Sequence, residues 1–169
     1  MKNSIFTFIL FALLLTVNAA PFQLNKRLIT FKTCALENPV DLLTVKIGNN
    51  PPVSENSESF DVSGKLTKND ITKDKTLLFV VFGDKTGRNI GKIYTQTFND
   101  PVMAGAPFNI SASDVPTPKL PDPYFLQIIV GNPDGSNETV TFFACAIAIV
   151  MEIQKKLKFL IFINQISFL

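Results

Sequence analysis

Two cysteines, Cys34 and Cys145, are the only thiols in a chain of 169 residues, and they bracket a segment rich in alternating apolar and polar residues. They follow what reads as a secretion signal. Lys2 supplies a positive start, Ile5–Val17 an apolar run interrupted only by Thr7 and Thr16, and Val17-Asn18-Ala19 a small-x-small cleavage site. Cleavage there puts the mature start at Ala20. An uncleaved anchor is the alternative, but the run is short for a span of about 20 residues. An oxidising compartment favours a disulfide between Cys34 and Cys145 over two buried thiols. Such a bond would close a loop worth ~4–5 kcal/mol in the chain-entropy model.

The remaining 150 residues suit one domain with a real core. Charge is best counted over Ala20–Val150. Lys2, Lys155, Lys156 and Lys158 fall outside, as does Glu152, so 12 basic and 13 acidic residues leave a net −1 where the whole chain has +2. No basic patch recruits phosphates, and nucleic acid is not an expected partner. Histidine is absent from the chain. That removes the usual general base, the usual zinc ligand and every Ser-His-Asp arrangement. No metal site, cofactor or enzymatic activity is expected.

Along the chain the apolar period is two. Leu28–Cys34 alternates. Leu42–Gly48 sets Leu43, Val45 and Ile47 against Thr44 and Lys46, and Asn49-Asn50-Pro51-Pro52 breaks it. Ser59–Leu66 alternates most cleanly, with Phe60, Val62 and Leu66 inward. Thr76–Phe82 is apolar on both faces, as a central strand would be. Ile90–Phe98 is weaker. Ala106–Ala112 places Phe108 and Ile110 inward and Asn109 outward. Pro123–Val130 aligns Tyr124, Leu126, Ile128 and Val130. Asn132–Ser136 reads as a hairpin turn, and Thr139–Val150 as the last strand. These roughly eight short strands predict an all-β, two-sheet antiparallel sandwich, with a barrel as the rival.

Ten of the 16 phenylalanines fall in this domain, and there is no tryptophan. Several sit on doubly apolar stretches: Phe79 and Phe82, Phe125, Phe142 and Phe143. An ordinary core explains them. A dry cavity that takes a lipid or sterol is the alternative.

Three runs resemble the opening of the ML lipid-recognition family: Ile29-Thr-Phe-Lys-Thr-Cys34, Thr44-Val-Lys-Ile-Gly-Asn-Asn-Pro-Pro52 and Ser59-Phe-Asp-Val-Ser-Gly-Lys-Leu66. Ala104-Gly-Ala-Pro-Phe-Asn-Ile110, Val115-Pro116, Leu120-Pro121 to Val130 and the late Cys145 are similar to its closing half. The pattern covers Ile29–Val150 and is nearest to fungal phosphatidylglycerol/phosphatidylinositol transfer proteins and Niemann-Pick-type sterol carriers. The resemblance implies an immunoglobulin-like sandwich holding a phospholipid or sterol between its sheets. It implies a Cys34–Cys145 bond, transient membrane contact, a monomer, and action outside the cell or in a vacuolar lumen. Candidate wall positions are Phe79, Val81, Phe108, Ile110, Leu120, Pro121, Tyr124, Leu126, Ile128 and Phe142, and plain core is the alternative at each. Relatives commonly carry further cysteine pairs near a cavity mouth. Here the corresponding Phe98–Gly105 has none, so the ligand does not carry over. A second reading is a secreted sandwich binding a protein or glycan at its surface.

Other features weigh less. Gly87-Arg-Asn-Ile-Gly-Lys92-Ile93 falls short of a phosphate loop, with three intervening residues instead of four and Ile93 where Ser or Thr is needed. Asp100, Asp114, Asp122 and Asp134 sit beside turn residues, where Asp stabilises turns by itself. Asn109-Ile-Ser111 and Asn137-Glu-Thr139 are glycosylation sequons. Met151–Leu169 departs in composition. It reads as translation past a splice boundary, with a membrane-touching amphipathic helix as the alternative; a lipid-anchor signal lacks its small-residue site.

Overall fold

A computed structural model describes residues 29–134 and 139–151. The signal segment, Asn137 and the tail beyond Met151 lie outside the described residues. Nine strands form among the described residues: β1 (Lys32–Thr33), β2 (Asp41–Leu42), β3 (Thr44–Ile47), β4 (Ser57–Lys65), β5 (Leu77–Asp84), β6 (Tyr94–Thr97), β7 (Pro107–Pro116), β8 (Tyr124–Pro133) and β9 (Val140–Val150). They make two sheets. One runs β1-β9-β8-β5-β6 with β2 also on β9, and the other runs β3-β4-β7. All pairs are antiparallel except β2 on β9. The architecture is the expected all-β sandwich. No helix among the described residues is long and apolar enough to cross a membrane.

The count exceeds the expected eight because one predicted strand is split. Leu42–Gly48 changes sheets at Leu43: β2 lies on β9 and β3 on β4, with Leu43 buried at the switch. Of the expected strands at Leu28–Cys34 and Ile90–Phe98, the described residues form β1 and β6.

Alternation sets the faces as read. On β4, Phe60 and Val62 are buried while Ser59 and Asp61 are exposed. On β8, Tyr124, Leu126, Ile128 and Val130 are buried and point into the space between the sheets. Leu78, Leu126, Ile128 and Val130 have no measurable exposure, and burial of each side chain stabilises by roughly 1.5–3 kcal/mol. β5 lies between β6 and β8 and is buried on both faces. Its inner residues Leu78, Val80 and Phe82 join the inter-sheet core, whereas Phe79 and Val81 join a second cluster on the outer face.

That outer cluster surrounds the disulfide. Cys34 and Cys145 are bonded across 111 residues with their Cα atoms 5.7 Å apart. The Gln127 amide donates to both sulfurs, at 3.5 and 3.3 Å. A bulge in β9 follows from its pairing: Ala144 faces Val130 and Phe142 faces Gly131, so Phe143 is the extra residue. The bulge resets parity. Phe142 packs on the outer cluster, while Phe143 and Ala144 belong to the inner one.

Candidate functional site

The inter-sheet space is apolar along its length but closed differently at its two ends. At the end where β4 finishes and β5 begins, loops 66–76 and 98–106 fold across the opening. Ile71 and Val102 exchange backbone hydrogen bonds at 2.8 and 3.0 Å, and Gly105 N donates to Leu66 O at 2.7 Å. Leu66, Ile71 and Phe98 are 2%, 1% and 5% exposed. The Phe98 ring meets Phe108 edge-on, with centroids 5.7 Å apart. Thr67 donates to Asp41, which ties this end to β2. The Phe98–Gly105 loop, which the resemblance sets at a cavity mouth, is here part of this seal.

The other end is thinner. It gathers the β3–β4 loop, the 117–123 segment, the end of β9 and the approach to β1. Ile29 N donates to Asn50 Oδ1 at 2.6 Å, and Leu120 N to Ser54 Oγ at 3.0 Å. Phe31, Ile47, Leu120 and Val150 pack against the inner core here yet stay only half-buried, as does Val45 along the adjoining edge. Tyr94 and Ile110 are half-buried along the β6–β7 side. Between Phe143 and Val150, the inner face of β9 carries three small side chains, Ala144, Ala146 and Ala148.

Polar atoms without partners collect at this thin end. Tyr124 is 7% exposed, and its hydroxyl has no hydrogen-bond partner among the described residues. Burial pushes the phenol up to about 12. Thr117 Oγ1 and Glu58 Oε2 are likewise buried and unpartnered. Glu58 Oε1, in contrast, accepts from the Asn49 and Ser59 amides at 2.8 and 2.9 Å and fixes the β3–β4 loop.

Of the sequence-derived wall positions, Phe108, Tyr124, Leu126 and Ile128 lie in the inner core, with Ile110 and Leu120 packed on it. Three do not belong between the sheets. Phe79 and Val81 face outward because β5 is apolar on both faces and it is Leu78, Val80 and Phe82 that turn inward; Phe142 faces outward because the β9 bulge shifts it. Pro121 is exposed and belongs to neither cluster. The alanine stripe escaped sequence reasoning, although the alternation Ala144-Cys-Ala-Ile-Ala-Ile149 carries it. The outward trio lines a groove of about 770 Å³ on the outer face with Ile93, Ile129 and Val140. A second groove of about 630 Å³ beside the disulfide runs from Ile29 to Met151.

The remaining sequence features resolve as local structure. The Gly87–Ile93 loop is held by an acidic group: Asp84 accepts from Thr86 and Arg88, and the Thr86 hydroxyl foremost lowers its carboxyl to about 2. A carboxylate in that place opposes a phosphate. Asp134 accepts from Thr141 Oγ1 at 3.0 Å beside the hairpin. Asn109 is exposed on β7. No cluster of potential metal ligands occurs among the described residues.

No family model matches the chain, and no curated protein matches it. Among solved structures, the chain is similar to chicken MD-1 complexed with lipid IVa, at 11% identity and a TM-score of 0.41, over 74% of this chain and 90% of that one.

Proposed function

We propose that the protein is a secreted, non-enzymatic carrier that holds a lipid or sterol between its two sheets and moves it between membranes. The observation that carries this reading is the uneven closure of an apolar interior. One end is sealed by fully buried side chains, while the other is lined by inward-facing apolar residues that water still reaches. Covering those residues with a ligand's hydrocarbon would add burial at ~25 cal/mol per Å², offset by the ligand's lost freedom. The ordered ML-like motifs support the same reading. The disulfide fits an oxidising compartment, and we take the protein to act as a monomer outside the cell or in a vacuolar lumen.

The test is mass spectrometry of lipids extracted from the full chain purified after secretion. A stoichiometric lipid or sterol is the expected result. Protein that arrives clean and takes up nothing from mixed-lipid vesicles would sink the reading. Ala146→Phe then locates the ligand. It should block uptake by filling the space beside the alanine stripe, with a stability loss within the ~1–3 kcal/mol usual for an enlarged core side chain.

The outer grooves favour a second reading, a surface that docks a protein or glycan. Ile149 and Met151 are 70% and 54% exposed there. Uptake of lipid that is lost on Ile149→Asp and kept in Ala146→Phe would place the ligand on that face instead.

A further inference from the structure

We infer that the thin end holds a polar subsite, built by Tyr124, Thr117 and Glu58, that selects a neutral hydroxyl-bearing head group on an otherwise apolar ligand. The inference rests on the carrier reading and narrows the ligand class.

The three groups come from different stretches of chain but lie at the same end of the sandwich. Glu58 lies near the start of β4 and pairs with Val115. Thr117 follows directly on β7, and its amide donates to Asn56 O at 3.0 Å. Tyr124 opens β8, opposite Val150. Their residues are 3%, 5% and 7% exposed. Each leaves one side-chain oxygen buried with no partner, and these are the only such atoms among the described residues. Buried polar groups are ordinarily paired, so a cluster of exceptions calls for an explanation. Their position supplies one. Glu58 has the inward parity of Phe60 and Val62 on the regular strand β4, since the β4–β7 irregularity adds its extra residue in β7. Tyr124 stands in the inner core itself, opposite half-buried Val150. A ligand whose hydrocarbon fills the apolar space would bring its head group to this rim.

The chemistry of the three groups restricts that head. Two hydroxyls donate or accept, and a carboxylate oxygen accepts. Together they suit a group that offers a hydroxyl hydrogen and a lone pair. They do not suit a phosphate or a carboxylate, which Glu58 repels. No cation pairs with Glu58: the one ion pair recorded among the described residues is Arg88 with Asp84. A sterol hydroxyl and the free hydroxyl of a diacylglycerol present the same chemistry.

The experiment compares matched probes on the secreted full chain. Cholesterol is set against cholestane, and dioleoylglycerol against dioleoylphosphatidate, by competition with a dansylated lipid. In at least one pair the hydroxyl-bearing member should bind about tenfold tighter, the worth of one well-made hydrogen bond. The pair showing it identifies the source of the hydroxyl. Tyr124→Phe should remove most of that preference by weakening the hydroxyl-bearing member, and should not lower the melting temperature of the ligand-free protein. Thr117→Val should act in the same direction. Equal affinity within both pairs, tighter binding of the phosphatidate, or a preference untouched by both variants would overturn the subsite while leaving the carrier intact. A fall in melting temperature for ligand-free Tyr124→Phe would assign the hydroxyl to the fold instead. Failure of every probe to bind would remove the carrier reading and the subsite together.

Discussion

The two ends of the sandwich use the same kind of side chain to opposite effect. At the sealed end, Leu66, Ile71 and Phe98 are driven fully inside by loops whose backbones are themselves paired across the opening. At the thin end, Phe31, Ile47, Leu120 and Val150 also turn inward, but the loops gathered there leave them only half-buried, and unpartnered oxygens of Glu58, Thr117 and Tyr124 lie at the same end. A core that only had to be stable would gain by closing both ends. Loops pair across both ends, so the asymmetry lies in how deeply each set buries the apolar side chains beneath it.

The largest expected effect belongs to neither end. Replacing Cys34 and Cys145 together by alanine should lower stability by about 4–5 kcal/mol, since the loop they close is long. Hydrogen exchange should then quicken alike at amides of β8 near Tyr124 and near Val130. Quickening at one end alone would show that the disulfide holds that end and would break the comparison. Next, Phe98→Ala at the sealed end should cost about 3–5 kcal/mol, the usual range for emptying a buried ring site. Leu120→Ala at the thin end should stay under about 1.5 kcal/mol because the side chain is only half-buried. Urea denaturation of both variants is the check, and equal losses would erase the distinction.

A smaller effect follows from Tyr124. Its folded phenol titrates near 12 and an unfolded tyrosine near 10. The folded state therefore keeps a proton that the unfolded state releases. Stability from this group is complete below pH 10 and is lost between about pH 10 and 12, by roughly 2–3 kcal/mol. Tyr124→Phe should remove that part of the alkaline loss and leave the part due to lysines. An unchanged alkaline profile would mean that the hydroxyl is not desolvated. Smallest of all, Tyr124→Phe at neutral pH should change stability by less than about 1 kcal/mol, because the lost hydroxyl made no hydrogen bond. A clear destabilisation in calorimetry would contradict that.

Much of this fold was legible from residue order. The alternation on β4 and β8 identified their inner faces, since one side of each strand is polar enough to mark the other. The Cys34–Cys145 bond was legible from its context. β5 defeated the same method: Leu78, Phe79, Val80, Val81 and Phe82 are all apolar, so alternation carries no sign of which side faces the partner sheet. Phe142 and Phe143 could not be sorted without the bulge, a backbone event that leaves no mark on polarity. The alanine stripe is hard to read as a wall because small side chains carry little apolar signal, although Ala144, Ala146 and Ala148 all lie in the inner core. The gathering of Glu58, Thr117 and Tyr124 was not legible at all. They are 66 residues apart from first to last, and only the pairing of β4 with β7 and the return into β8 bring them to one rim.

β7 is an outer strand of the smaller sheet, bound to β4 on one side only. Its other side is interrupted along its length. Pro107 and Pro116 bring no amide hydrogen, Asp114 takes a left-handed turn at φ 55°, and the Ser111 carbonyl accepts from the Gln96 side chain of the opposite sheet at 3.0 Å. A neighbouring copy would find no unbroken row of donors and acceptors to zip against. The same edge that binds the two sheets to each other is thus a poor template for strand addition by a crowded neighbour.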